Sequence, residues 1–326
     1  NIYSDYAYYF FFFFGGSGLR ISNQEQSTLS TNYTSTSFLQ TTFYEKDQIN
    51  LISSGKDWVG ERMDVSSPVF ELPDFTFPNL TIGKQAWIRY RLAARASINT
   101  TFTVKVNGLQ VSAPSLGTFS KYIYGAERTE TKSFSPETDR VRVSFQYNGG
   151  ESSIGWLDWV ELNVFRDMKF TGGQMNFGDP VSVGAGKVTD FQLQGTSSSV
   201  TIWEVTNPLI VKHVVSTLQS DVSSFVLQTD TLRQFIAWDN TTFLTASFTE
   251  KITNQDLHSI ASADMLIVVH KDFIAEANRL ADFHRAFDGF KVSVVTNEHV
   301  YNEFSSGSPD IVAIRDMSRL LYNRPE

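Results

Sequence analysis

MLIVVHKDFIAEANRLADFHRAFDGFKVSVVT, residues 265–296, is the stretch whose reading decides the fold. It opens on a continuous apolar run, Met265-Leu-Ile-Val-Val, as expected for a central strand of a parallel sheet covered on both faces. Asp272 is placed to cap a helix, on which Ile274, Ala277, Leu280, Ala281 and Phe287 recur at three- and four-residue steps. Gly289 stands where a left-handed residue ends a helix, and residues 291–296 (KVSVVT) form the next strand. The unit is therefore βαβ. Working outward toward the C-terminus, Ser305, Ser306, Gly307 and Ser308 make a loop. Pro309 falls in the first turn of a second helix with Ser308 as its cap, and Val312, Ile314, Met317, Leu320 and Leu321 form its apolar face. A doubly wound sheet needs more strands than these, so the α/β domain is expected to be only begun.

Working outward toward the N-terminus, the periodicity changes from 3.6 to 2. Residues 188–194, 199–205, 223–229 and 234–237 read as short strands with a turn at Asn207-Pro208. Earlier still, Phe102, Val104 and Val106 alternate with Thr103, Lys105 and Asn107, and Asn107-Gly108 supplies a type I′ hairpin signal. Val141, Val143, Phe145 and Tyr147 repeat the alternation, and residues 156–165 form another strand. The expected organisation is multidomain and mainly β. A β-sandwich spans residues 1–165, a second β-rich domain 166–262, and the truncated start of an α/β domain 263–326. The aromatic run at residues 6–14, with consecutive Phe from Phe10 to Phe14, is far shorter than the roughly 20 residues of a transmembrane helix. It is expected to be a buried or edge strand.

The 326 residues suffice for about two domains by the usual ratio of roughly 150 residues each, and the net charge of −8 without a basic stripe argues against nucleic acid as a partner. Charged residues at 19% and aromatics at 14% exclude a disordered chain. The absence of cysteine excludes a disulfide framework, a thiolate metal site and a Cys nucleophile within these residues. The chain opens at Asn1 and stops at Glu326, and both ends read as cuts, so the function is expected to belong to a longer parent.

Residues 265–322 resemble the opening of the caspase-like domain of gingipain-type cysteine peptidases. The resemblance lies in the LIVVH strand, the A-x-R-L-A-x-F helix, the V-x-V-V strand, Val300-Tyr-Asn-Glu-Phe-Ser-Ser-Gly, Asp310 and Ala313-Ile-Arg. Upstream, FYEKDQINLISSGKDWVGERMDV (residues 43–65) is similar to the N-terminal part of the branch that acts as the sortase of the type IX secretion system of Bacteroidetes. The resemblance implies a surface cysteine peptidase and transpeptidase, associated with the outer membrane. Such an enzyme cuts the C-terminal signal domain from secreted cargo and joins the new carboxyl end to anionic lipopolysaccharide, beside outer-membrane components such as PorV. The family uses a His followed by Gly together with a Cys. His213, His258, His270, His284 and His299 are not followed by Gly and no Cys is present, so both catalytic residues are expected beyond Glu326 and this chain alone is expected to be inactive. The alternative is a non-catalytic surface module for adhesion, glycan binding or cargo docking.

Three residues remain as candidates for a crevice or docking site. His270 follows the first α/β strand, at the edge where open α/β sheets gather ligands; the plainer reading is a strand-end His bonded to the following turn. Trp58 and Glu61, in Asp57-Trp-Val-Gly-Glu-Arg, suit a docking or carbohydrate-facing loop, or else a strand start whose Trp joins the sandwich core. Trp87, Trp156, Trp159 and Trp203 invite the same pair of readings. No cofactor is expected. Asp158, Glu161 and Asp167 are the acids weighed for a structural calcium ion, but they do not spell an EF-hand, and strand alternation sends Asp158 and Glu161 to opposite faces.

Overall fold

The computed structural model describes residues 4, 6–12, 15, 16, 18–53 and 57–324; Asn1, Phe13, Phe14, Ser54, Gly55, Lys56 and Glu326 of the stretches discussed above lie outside them. The architecture is multidomain and mainly β, and the chain divides into two compact units, Leu19–Thr245 and Asn1–Gly18 with Ala246–Glu326.

Within Leu19–Thr245 there are two sandwiches. In the first, one sheet orders Ala126–Phe134, Ala86–Arg95, Ile154–Asp167 and Ser37–Glu45, all antiparallel, with Arg62–Met63 paired on Ile154–Asp167. The facing sheet orders Ser115–Leu116, Thr100–Val106, Val143–Asn148 and Val69–Glu71, with Leu109–Ser112 beside Thr100–Val106. The strict alternation of residues 100–106 puts Phe102, Val104 and Val106 inside, where Tyr90 meets Phe145 edge to face at 5.6 Å and Phe102 meets Tyr147 at 4.9 Å. Non-polar burial of this kind stabilises by roughly 25 cal/mol per Å². Asn107 and Gly108 both have positive φ, 49° and 82°, the geometry of the type I′ turn.

The second sandwich faces the sheet of Ser22–Gln24, Lys212–Val214, Thr201–Glu204, Phe235–Trp238 and Gln174–Phe177 against that of Thr217–Gln219, Val222–Gln228, Val188–Gln194 and Tyr33–Ser35. Its core holds an aromatic cluster: the rings of Phe177, Phe191, Phe225 and Phe235 contact one another with centroids 5.0–5.2 Å apart. Ser22–Gln24 pairs in parallel with Lys212–Val214, and Tyr33–Ser35 with Val188–Gln194. The chain thus begins this unit in the second sandwich and then crosses to the first along Ser37–Glu45.

In the other unit, Met265–Val269 and Val292–Thr296 lie parallel, from Met265 opposite Val292 to Val269 opposite Thr296. Helix Ile274–Phe287 connects them, and Gly289 follows with φ 72°. Helices Asn297–Phe304 and Ile311–Tyr322 complete it, closing on Val295, Val300, Ala313, Met317 and Leu321. Glu303 fastens the incoming segment by accepting from Leu257 N at 2.7 Å, His258 N at 3.2 Å and Gln255 Nε2 at 2.8 Å.

Four local expectations change. Asp272 is not the helix cap: a 3-10 turn, Lys271–Phe273, precedes the helix, and the His270 side chain caps it. The last helix is capped by Asp310, which accepts from Val312 N at 2.8 Å, rather than by Ser308. All five residues of Met265–Val269 are half-buried rather than covered on both faces. Residues 6–12 form no strand, and Tyr6, Tyr9, Phe11 and Phe12 are largely exposed. The alternate rings Tyr8 and Phe10 lie instead on Gly307, whose φ of 85° and lack of a side chain admit them.

Candidate functional site

The carboxyl edge of the parallel pair is where a βαβ unit leaves room for a ligand, since the strands' last residues and the following helix N-termini converge there. His270 leaves the first strand and Thr296 ends the second. His270 Nδ1 accepts from Asp272 N at 3.3 Å, which places the ring hydrogen on Nε2; the ring is half-exposed and stands edge-on to Phe273. Thr296 caps helix Asn297–Phe304 by accepting from His299 N at 3.1 Å. Lys271 Nζ reaches Glu298 Oε1 at 3.3 Å and so ties the turn after one strand to the first turn after the other. Glu298 also suits the positive end of its helix. Asn297 Oδ1 is buried with no hydrogen-bond partner among the described residues. The edge can orient a ligand through the His270 Nε2–H and Asn297, and it holds no thiol, as none exists in the 326 residues.

Trp58 and Glu61 belong to the other unit and form a separate feature. Val59 is bridged to Ile49, its N–H donating to Ile49 O at 2.8 Å. At Gly60 a Cβ would sit 2.7 Å from Lys46 O, so no other residue lets the chain pass so close. Trp58 is left partly exposed at 38%, while Glu61 is buried at 9%. Glu61 Oε1 accepts from the Tyr44 hydroxyl and lies 3.5 Å from Lys46 Nζ, and its Oε2 has no partner among the described residues. Burial, then the bond to Glu61, raises the Tyr44 pKa. On the same sheet Arg91 holds Asp158 at 2.9 Å, Asp57 at 3.5 Å and Glu127. Burial pushes the Asp158 carboxyl up to about 6; Arg91 opposes this, and Glu45 and Glu127 reinforce it.

The acids weighed for calcium go to separate partners: Asp158 to Arg91, Glu161 to Asn163 Nδ2 at 2.7 Å, and Asp167 to the Thr81 hydroxyl at 2.8 Å. Among the described residues no His, Asp and Glu side chains assemble into a metal-holding group. Of the tryptophans, Trp156 is core; Trp159 is half-buried, stacks on Phe43 at 5.8 Å and lies under Arg89. Among the described residues no helix is long and apolar enough to cross a membrane.

Comparison with known proteins adds three findings. The family model of Peptidase family C25 matches residues 258–326. No curated protein sequence matches the chain. Among solved structures, dimeric latent PorU from Porphyromonas gingivalis superposes with a TM-score of 0.83 at 22% identity, covering 95% of this chain and 31% of that one. A CBM36-1 domain of a multidomain xylanase from the hindgut metagenome of Trinervitermes trinervoides reaches a TM-score of only 0.26 at 12% identity, over 38% of this chain and 96% of that domain. The chain therefore spans about a third of the length of PorU. Residues 258–326 thus resemble peptidase family C25, the gingipain family, on a chain that has the fold of the part of PorU it covers.

Proposed function

We propose that this chain is part of a cell-surface, gingipain-like cysteine peptidase and transpeptidase. In this reading the parent removes the C-terminal signal from type IX secretion cargo and attaches the cargo to anionic lipopolysaccharide. Components of the outer-membrane machinery such as PorV are its partners there. The observation that carries the reading is the family match at residues 258–326, on a parallel βαβ unit whose carboxyl edge is formed by His270, Thr296 and Asn297. The chain's fold, shared with PorU over 95% of its length, supports the sortase branch in particular. The nucleophile and base belong to a part of the parent outside these 326 residues, and the sandwiches serve as the scaffold on which that domain is held.

The test is made in cells. Replacing the cysteine of the parent's family C25 domain with alanine is expected to leave cargo with its signal domain attached and without lipopolysaccharide, as read by mass and by mobility on gels. The purified 326-residue chain is expected to give no cleavage of signal-domain peptides. Normal cargo processing in the alanine strain would refute the catalytic reading and favour a docking module.

A further inference from the structure

Arg166, next to the end of strand Ile154–Asp167, is a buried cation with one donor nitrogen lacking an acceptor among the described residues. It is 6% exposed. Its Nε donates to Pro78 O at 2.6 Å and its Nη1 to Gln40 Oε1 at 2.6 Å, while Nη2 has no hydrogen-bond partner among the described residues. The guanidinium carbon lies 5.3 Å from the centre of the Phe38 ring. No ion pair includes Arg166 among the described residues, although every nearby hydrogen-bond acceptor it uses is neutral. A guanidinium stays protonated in proteins, and leaving such a charge buried and unpaired is costly.

Arg166 lines a cleft of about 550 Å³, within the range of ligand sites. Gln40, Thr41, Gln174, Asn176 and Gln234 line it too, and no acidic residue does. Its two walls are sheet edges. Ser37–Glu45 ends one sheet of the first sandwich, and Gln174–Phe177 ends one sheet of the second. The edges touch where Leu39 N donates to Gly178 O at 3.2 Å. N–H groups alternate between the sides of a strand, so the N–H of Thr41 faces the same side as that of Leu39. A planar fork with a free N–H is matched by a carboxylate, and an unpaired strand edge is matched by an extended chain.

We propose that this cleft binds an extended peptide segment and pairs a carboxylate of that peptide with Arg166. The site stands apart from the peptidase reading, which needs none of these residues, so either can fail alone.

The test uses the full chain and fluorescence polarisation. Three labelled probes are compared: Thr-Val-Ser-Val-Thr with a free carboxyl end, the same peptide amidated, and an amidated version with one central glutamate. At least one acidic probe is expected to bind about tenfold tighter than the neutral amide, as a charge-assisted hydrogen bond implies. Which acidic probe shows the preference distinguishes a chain end from a side chain as the source. Arg166→Gln is expected to abolish the preference. Because that change is buried, Asn176→Trp, an exposed position on the cleft wall, provides a second variant: it is expected to block every probe while leaving thermal unfolding unchanged. The proposal is overturned if no probe binds, if the amide binds as tightly as both acids, or if Asn176→Trp binds normally. Competition by sodium glucuronate or phosphate as effective as that of unlabelled acidic peptide overturns it as well.

Discussion

Arg91 gathers Asp158, Asp57 and Glu127, and the balance among them makes stability depend on pH in a direction that can be worked out. Burial raises Asp158 to about 6 against the attraction of Arg91. A carboxyl raised on folding contributes stability that is complete below its unfolded pKa, near 4, and is lost as pH rises through about 6. Arg91 is a quarter exposed, and solvent screens the pair, so the effect is on the order of 1–2 kcal/mol. Asp158→Asn is therefore expected to match or exceed the parent in stability at pH 7 and to flatten the change between pH 4 and 6 in urea titrations. A variant weaker at pH 7 by more than about 2 kcal/mol would show that the ion pair, not the burial cost, dominates. Glu130 has the opposite sign. Burial pushes it up, but hydrogen bonds from Ser112, Arg128 and Tyr90 and the nearby Lys132 outweigh this and hold it at about 2. Its contribution is complete above about 4.5 and is lost as pH falls through about 2. Glu130→Gln is expected to cost about 1–2 kcal/mol at pH 7 and to converge with the parent only as pH falls below about 2; a constant difference from pH 7 down through that range would contradict the assignment. The role of Asp158 was hidden in the sequence because strand alternation fails there. The register between Ile154–Asp167 and Ala86–Arg95 shifts between Leu157 and Trp159, so Asp158 is the extra residue of a bulge, a feature that carries no composition signal.

Elements with local causes were legible and elements with distant causes were not. Asn107-Gly108, the strand Val292–Thr296 and the stop at Gly289 follow from turn chemistry, alternation and a left-handed position, each contained in a few residues. Helix Asn297–Phe304 was overlooked because it starts directly on the last strand residue, Thr296, and presents one fully buried side chain, Val300. The aromatic run reads as a strand because a continuous apolar run of that length suits a sheet, whereas Tyr8 and Phe10 find the turn at Gly307. Two substitutions test how elements are held. On Ile154–Asp167 a Cβ at Gly155 would stand 2.6 Å from both Phe102 Cζ and Tyr147 Cδ2, so Gly155→Ala is expected to destabilise by about 1–3 kcal/mol through overpacking. Denaturant midpoints measure it, and a neutral result would mean that the two rings move aside freely. Asp310→Ala removes the cap bond to Val312 N and is expected to cost about 1 kcal/mol, visible as faster amide exchange confined to the first turn of Ile311–Tyr322. Uniform acceleration across the unit would point to a role beyond capping.

At the scale of the whole molecule, the change of character near Asp264 was readable, since a period of 2 gives way to a period of 3.6. The parallel pairing of Ser22–Gln24 and Tyr33–Ser35 with strands more than 150 residues away was not, because no local pattern names a distant partner. That pairing matters for cooperativity. Strand Ser37–Glu45 places Phe38 in the second sandwich core and Tyr44 against the first, and Val164 and Met168 do the same a few residues apart. Residues 19–245 made alone are therefore expected to unfold in urea as a single transition, with far-UV circular dichroism and tryptophan fluorescence coinciding. Separate midpoints would mean that the shared strands do not couple the cores. Residues 246–326 made alone should behave differently. Helix Ile274–Phe287 buries Ala277 and Ala281, yet Leu280 is 46%, Phe283 56% and Phe287 77% exposed. An apolar face of that kind marks a surface that binds hydrophobic probes. This piece is expected to enhance anilinonaphthalene sulfonate fluorescence several-fold over residues 19–245, and Leu280→Glu with Phe283→Glu to remove the enhancement while leaving helix content unchanged, because exposed positions tolerate substitution within about 0.5 kcal/mol. Loss of helix content in the double variant would show that these side chains support the fold themselves rather than waiting on its surface.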